Sequence, residues 1–328
     1  MCRLDLPRLV RFAALPPLID QVSTLIYTET KPMPVGQPKD ISGMRFILNN
    51  WPLSRGKGAL MRVFQHRLRE RDFLIEVEPG IFIPGTMEDY MVYWVFVNGY
   101  SSDHAVRLSR LLIRPGDTVF DIGANIGLWA MGAAFRASPS GTVYAFEPVP
   151  ENVSRLRKNL ELNRLDNVNC EMLALSDMEG TASLFKPSYD NSGHPTLGRR
   201  KLVEIEIKTH TTTLDSYCGQ HGIHHVDFVK IDVEGAELMV FRGAQQLLSS
   251  PDSPAILFEV NEETAAILGS SSTMVKSLLA EHGYTSFRYD GKVFRVAPCE
   301  DREAPGDLFA FKAHHFDGYP AISQLVNI

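Results

Sequence analysis

Cysteine is scarce in this chain. Only four occur in 328 residues, Cys2, Cys170, Cys218 and Cys299, and no two form a Cys-x-x-Cys pair. That scatter offers neither a zinc-finger spacing nor a disulfide framework, so no metal is expected and the thiols read as those of a reduced, cytoplasmic protein. Long apolar runs are also missing. No stretch approaches the roughly 18 apolar residues of a membrane span. The N-terminal apolar stretch is broken by Pro16 and Pro17 and reads as no secretion signal. Positive charge is in deficit, with 33 Lys and Arg against 39 Asp and Glu. A surface that neutralises many phosphates needs the opposite balance, so no nucleic-acid partner is expected. What remains is an ordinary globular mixture, 44% hydrophobic and 22% charged, long enough for one large domain with an appendage.

Residues 1–72 read as a helical appendage, with helices expected over 16–28, 41–50 and 57–71. In the last of these, Leu60, Val63, Phe64 and Leu68 recur at helical spacing. The appendage is the candidate surface for a homodimer. Residues 73–113 form a lead-in. A period of two around Pro79-Gly80 predicts a hairpin over 73–86, and 89–112 reads as mostly helical. From 114 to 313 strands and helices alternate. Strands are expected over 117–122, 141–146, 168–175, 225–232, 255–260, 284–289 and 307–312. Helices are expected over 124–136, 151–165, 237–249 and 273–282. This alternation predicts an α/β domain, its mainly parallel sheet covered on both faces. Residues 314–328 are left as a tail.

An open parallel sheet binds ligands beyond the carboxyl ends of its strands. The first strand of the domain ends in Asp121-Ile-Gly123-Ala-Asn125-Ile-Gly127. A dinucleotide site wants G-x-G-x-x-G. Counted from Gly123, that pattern meets Asn125 and Leu128 where glycines should stand. S-adenosylmethionine needs no phosphate cradle, and Asp121 is a candidate partner for its ammonium group. Glu147 ends the second strand, 20 residues after Gly127, followed by Pro148. An acid at that distance holds a nucleoside ribose, because its oxygens accept from a vicinal diol. After the third strand, Ser176-Asp177 is a candidate contact for the adenine amino group, or an ordinary turn.

These residues resemble the FkbM family of S-adenosylmethionine-dependent methyltransferases. The matching pieces are Phe120-Asp-Ile-Gly-Ala-Asn-Ile-Gly127, Ala145-Phe-Glu-Pro148, Asn159-Leu-Glu-Leu-Asn163, Ala174-Leu-Ser-Asp177, Thr213-Leu-Asp215, Val229-Lys-Ile-Asp-Val-Glu-Gly-Ala-Glu237 and Ile256-Leu-Phe-Glu259. The resemblance implies a Rossmann-like class I methyltransferase sheet of seven strands, the last two an antiparallel edge. It also implies methylation of a hydroxyl on a sugar or other small molecule as the commonest reaction. Residues 93–99 with Asp103 stand where the family often has an aromatic–Gly–acid segment.

The acceptor side is less specific. Strand alternation puts Lys230 and Asp232 on one face. Asp232 and Glu259 end adjacent strands, so their carboxylates can converge and share a proton or a cation. Asp232, Glu259 and His194 are the candidate catalytic residues, with Glu234 also a candidate base. Glu234 reads equally as an exposed turn residue, and Glu237 as a charge in the first turn of a helix. Residues 186–208 read as a long loop of the kind that covers a site, and Arg199-Arg200-Lys201 in it can attract an anion. Two other classes compete. A nucleic-acid methyltransferase often carries Asn/Asp-Pro-Pro-aromatic after the fourth strand, and Asp232-Val-Glu-Gly offers no ring to stack on a base. A binding module that retains the fold without turnover is the other.

Overall fold

The computed structural model describes residues 73–86, 88–98, 104–187, 204–300 and 305–325, all within one compact unit, Lys39–Ile328. The helices expected in residues 1–72, Asp103, residues 191–193, His194 and residues 199–201 lie outside the described residues.

A hairpin comes first, β1 (Phe73–Glu78) and β2 (Ile81–Gly85), then helices α1 (Tyr90–Asn98) and α2 (His104–Leu111). The alternating part follows as β3 (Thr118–Ile122), α3 (Leu128–Ala137), β4 (Thr142–Phe146), α4 (Pro150–Asn163) and β5 (Val168–Glu171). Three strands then leave the main sheet: β6 (Ala174–Leu175), β7 (Gly180–Pro187) and β8 (Glu204–Thr212). The chain returns through α5 (Leu214–His221), β9 (Phe228–Ile231), α6 (Glu237–Arg242), α7 (Gln245–Ser249), β10 (Ala255–Val260), α8 (Glu262–Ile267) and α9 (Ser272–Glu281). It finishes as β11 (Thr285–Tyr289), β12 (Phe294–Val296), β13 (Gly306–Phe311), α10 (Ala313–Gly318) and α11 (Pro320–Leu325).

The main sheet runs in the order β12-β11-β13-β10-β9-β3-β4-β5. Strands β5, β4, β3, β9 and β10 are parallel, and β13, β11 and β12 are antiparallel to their neighbours. This is the mostly parallel methyltransferase-type sheet that the resemblance implied, with one strand beyond the expected seven. The added edge strand is β12. Asp290 Oδ1 accepts from the Lys292 and Val293 amides at 3.0 and 2.9 Å, and Gly291 at φ +90° completes a turn that folds the chain back.

Strand alternation divides the core in two. Val119, Val143, Phe228 and Leu257 point to the layer holding Trp129, Met131 and Leu108. Phe120, Phe146, Val229, Ile231 and Phe258 point to the layer holding Tyr217, Phe241 and Leu279. Both faces of the central strands are buried, which is why they read as nearly continuous apolar runs. The odd members of those runs, Asp121 and Lys230, share the face of the first layer.

Two sequence expectations change at the small sheet. The strand expected over 168–175 is two strands. Val168–Glu171 stays in the main sheet, whereas Ala174 and Leu175 pair with Thr211 and Thr212 of β8. The loop expected over 186–208 is strand at both ends, because β7 and β8 form an antiparallel ladder from Gly180↔Thr211 to Pro187↔Glu204.

Candidate active site

Strand order reverses between β3 and β9, the crevice where open α/β sheets bind ligands. The turn after β3 is tied to β4 from below. The Gly123 and Ala124 amides donate to the Phe146 carbonyl at 3.0 and 2.9 Å, and the Asn125 amide donates to Glu147 Oε2 at 2.9 Å. Three successive amides are thus consumed inside the protein. They are not aimed outward as a phosphate cradle, which fits a cofactor without phosphate.

Positive φ favours glycine at both Gly123 and Gly127, and packing against backbone requires it at Gly123. At Gly123, φ is +82° and a Cβ would lie 1.8 Å from the Asp232 carbonyl oxygen. At Gly127 a Cβ would meet Leu156 Cδ1 at 2.1 Å. Asn159, buried on α4, donates to the Ile126 carbonyl at 2.8 Å and braces the turn from the other side. Asn163 exchanges bonds with the Phe82 backbone at 2.7 and 2.8 Å, fixing the hairpin to α4. The two asparagines of the Asn159–Asn163 piece are therefore structural clamps.

A cavity of about 190 Å³ opens over this turn. Of the site residues proposed from sequence, Gly123, Asn125, Glu147, Pro148, Asp232 and Glu234 line it. Asp121 does not. Its carboxylate is 0% exposed, beneath the turn, and Lys230 Nζ donates to its Oδ1 at 3.2 Å. Gly127 packs on Leu156, and Ser176 and Asp177 also lie off the wall, bonded to each other at 3.2 Å. Leu173, Ala174 and Leu175 line the cavity in their place. Glu259 is not among the lining residues, and His194 lies outside the described residues.

Glu147 is buried, and burial pushes its carboxyl up to about 7 against the bonds that favour the charge. Among the described residues, its Oε1 accepts from the Val149 amide and Asn152 Nδ2, and its Oε2 from the Asn125 amide. A carboxylate oxygen has room for two donors, so Oε2 retains capacity for a hydroxyl.

Lys230 was noted in the sequence only as a face-mate of Asp232. Its Nζ lies 3.2 Å from both Asp121 Oδ1 and Asp232 Oδ2. Burial opposes its charge, but Asp121 and Asp232 together raise its pKa. Asp232, 41% exposed at the side chain, is the open end of this triad. The loop beyond it is strained into shape. Glu234 has φ +52°, and a Cβ on Gly235 would meet the Thr264 backbone at 2.5 Å. Glu237 is buried and accepts from the Gly235 amide at 3.0 Å, so it clamps the loop as well as opening α6. The apolar wall is completed by Met91 of α1, Val106 of α2, Trp129 of α3 and Leu184 of β7, none of which carried a sequence signal.

Residues 121–286 match the Methyltransferase FkbM domain, and the chain belongs to that methyltransferase family. S-adenosylmethionine is its methyl donor. The 31-O-demethyl-FK506 methyltransferase FkbM of Streptomyces tacrolimicus is 31% identical over 201 residues, which are 53% of this chain and 74% of that protein. The 2-O-methyltransferase NoeI of Sinorhizobium fredii is 30% identical over 158 residues. That match takes in 44% of this chain and 63% of NoeI, less than two thirds of its length. A solved methyltransferase FkbM from Methylobacillus flagellatus superposes with a TM-score of 0.37 at 15% identity, over 67% of this chain and 54% of that one.

Proposed function

We propose that this protein methylates a hydroxyl group on a small molecule or sugar. The observation that carries the reading is Asp232. It is a carboxylate in the cavity wall, gripped by Lys230 and packed by its backbone against Gly123 of the cofactor turn. Relatives whose names specify O-methylation add support.

When bound, S-adenosylmethionine supplies a methyl group on a positively charged sulfur. Glu147 Oε2 would hold the ribose diol, with residues 123–125 lining the same cavity, and Leu173 and Leu175 would offer an apolar surface to the adenine. Met91, Val106 and Trp129 exclude water on the acceptor side. Asp232 then takes the proton of the acceptor hydroxyl as its oxygen is methylated. Lys230 Nζ, 3.2 Å from Asp232 Oδ2, orients the Asp232 carboxylate before that step. Positioning and proton removal together lower the barrier.

The test uses labelled S-adenosylmethionine with a panel of sugar, polyol and polyketide hydroxyls. Asp232→Asn should lower kcat by about 10²–10⁴, the usual span for a general base. Its affinity for S-adenosylhomocysteine should stay near that of the unmodified protein. Label entering amines alone, or a fully active Asp232→Asn, would sink the reading.

A further inference from the structure

A row of ionisable side chains crosses the carboxyl edge of the sheet on the face that carries α3. It starts at Asp121 on β3, passes through Lys230 and Asp232 at the end of β9, and continues through Glu259 on β10 to Asp307 on β13. Register places them. Asp121 pairs with Lys230 across β3 and β9. Ile231 pairs with Phe258, so the next residue on each strand, Asp232 and Glu259, leaves the parallel ladder side by side. Glu259 is directly opposite Asp307 in the antiparallel ladder. The one lysine in this row stands 3.2 Å from each of Asp121 and Asp232 and is used up by them.

Two neighbouring carboxyls that share a hydrogen bond hold a proton between them. Lys230, 3.2 Å from Asp232 Oδ2, favours the charge on Asp232 and leaves the shared proton to Glu259. Glu259 is hydrogen-bonded to Asp232, and burial first, then the Asp232 charge, pushes its carboxyl up to about 10. Glu234 in the loop after β9 and Asp307 on β13 push the same way. Glu237 on α6 also feels the Asp232 charge.

We propose that Glu259 is a positioning residue for Asp232: as a neutral carboxylic acid it donates a hydrogen bond to the Asp232 carboxylate, while Lys230 grips the same group, so that the accepting oxygen is fixed at the cavity wall. The proposal rests on Asp232 as the proton acceptor described above. Glu259 is not in the cavity wall and acts through its neighbour. An ionised residue in its place would repel Asp232, and an apolar one would leave Asp232 free to turn. In the transfer, the new O–CH₃ bond forms as the S–CH₃ bond breaks and its electron pair stays on sulfur. The hydroxyl proton goes to Asp232, and Glu259 keeps its own proton throughout.

Two measurements test this, the first without turnover. Infrared spectra of the full chain at about pH 8.5 should contain a neutral carboxylic-acid band that Glu259→Gln lacks. In Asp232→Asn that band should vanish at a lower pH, because its charged neighbour is gone. No Glu259-dependent band, or an unchanged midpoint in Asp232→Asn, overturns the proposal whatever the protein methylates. In the second, Glu259→Gln keeps a donor and should retain most of kcat at neutral pH. It should lose the alkaline fall expected near the Glu259 value of about 10. Glu259→Ala should lose about 10- to 100-fold in kcat, the cost of a misplaced group, with KM for S-adenosylmethionine unchanged. Wild-type turnover in Glu259→Ala overturns the proposal. The infrared band in place beside a fully active Asp232→Asn would instead overturn Asp232 as the base and uphold the hydrogen-bonded pair.

Discussion

Lys230 reaches across one rung of the parallel ladder to Asp121, 3.2 Å from nitrogen to Oδ1, and the carboxylate it meets has no exposed surface. The pair sits under the cofactor turn, and its charge is balanced only while both members are present. Replacing Lys230 with Met should therefore cost about 3–5 kcal/mol, the penalty for leaving a buried ion alone. Adding Asp121→Asn should recover much of that loss. Urea unfolding of the two single variants and the double variant gives the coupling. Additive losses would show that the contact is incidental.

The turn glycines make a sharper contrast. Gly123 combines φ +82° with a Cβ position 1.8 Å from the Asp232 carbonyl, so Gly123→Ala must push β3 and β9 apart at their carboxyl ends. It should abolish S-adenosylhomocysteine binding by calorimetry and lower the unfolding midpoint. Gly219, inside α5, has nothing within 4 Å of its Cβ position. Gly219→Ala should leave binding intact and stabilise by about 0.5–1 kcal/mol, the ordinary gain of helix propensity. Equal effects at the two sites would contradict the packing assigned to Gly123.

As the proposed ribose acceptor, Glu147 should give cofactor affinity a pH dependence. Burial raises its carboxyl to about 7, and a ribose diol donates to the ionised form. Affinity for S-adenosylhomocysteine should be constant above that value and weaken as pH falls through it, approaching about tenfold per unit on the acid side. Calorimetry from about pH 5 to 8.5 reads the trend. Glu147→Gln should bind weakly at every pH and show no such slope. A flat profile in the unmodified protein would remove Glu147 from the ribose.

Much of this arrangement was legible in the chain, for local reasons. Apolar runs ending near Glu147, Asp232 and Glu259 marked the carboxyl ends of the central strands, whereas Asp121 and Lys230 lie buried inside theirs, each the other's charge partner. Relations between distant segments were less accessible. The Asp121–Lys230 contact depends on the register of β3 against β9, 109 residues apart. The partner of Lys230 could not be read from its own strand, where only the Asp232 face-mate is visible. The bonds of the turn amides to Phe146 and Glu147 likewise join segments more than 20 residues apart. In the 186–208 stretch, its Gly, Ser, Asn and Pro content masked the alternation Glu204-Ile-Glu-Ile-Lys208 that pairs with β7. Met91 and Val106 reach the cavity from the lead-in helices by tertiary packing alone.

Glu237 offers a last prediction, on stability. Burial raises its carboxyl from 4.5 to about 7, although the Gly235 amide favours the charge. A carboxyl whose pKa is higher in the folded chain stabilises that state fully below its unfolded value. The contribution is then lost as pH rises through the folded value. Between about pH 4.5 and 7 this group alone should remove on the order of 3 kcal/mol, spread over that window. Glu237→Gln keeps an oxygen for the Gly235 amide but cannot ionise. Its unfolding free energy should fall less steeply across the same window, and above pH 7 the variant should match or exceed the unmodified protein. Urea titrations at about pH 5, 6, 7 and 8 decide the matter. Parallel curves would mean that Glu237 titrates alike in the folded and unfolded chain, and that the clamp on the Asp232 loop carries no buried charge.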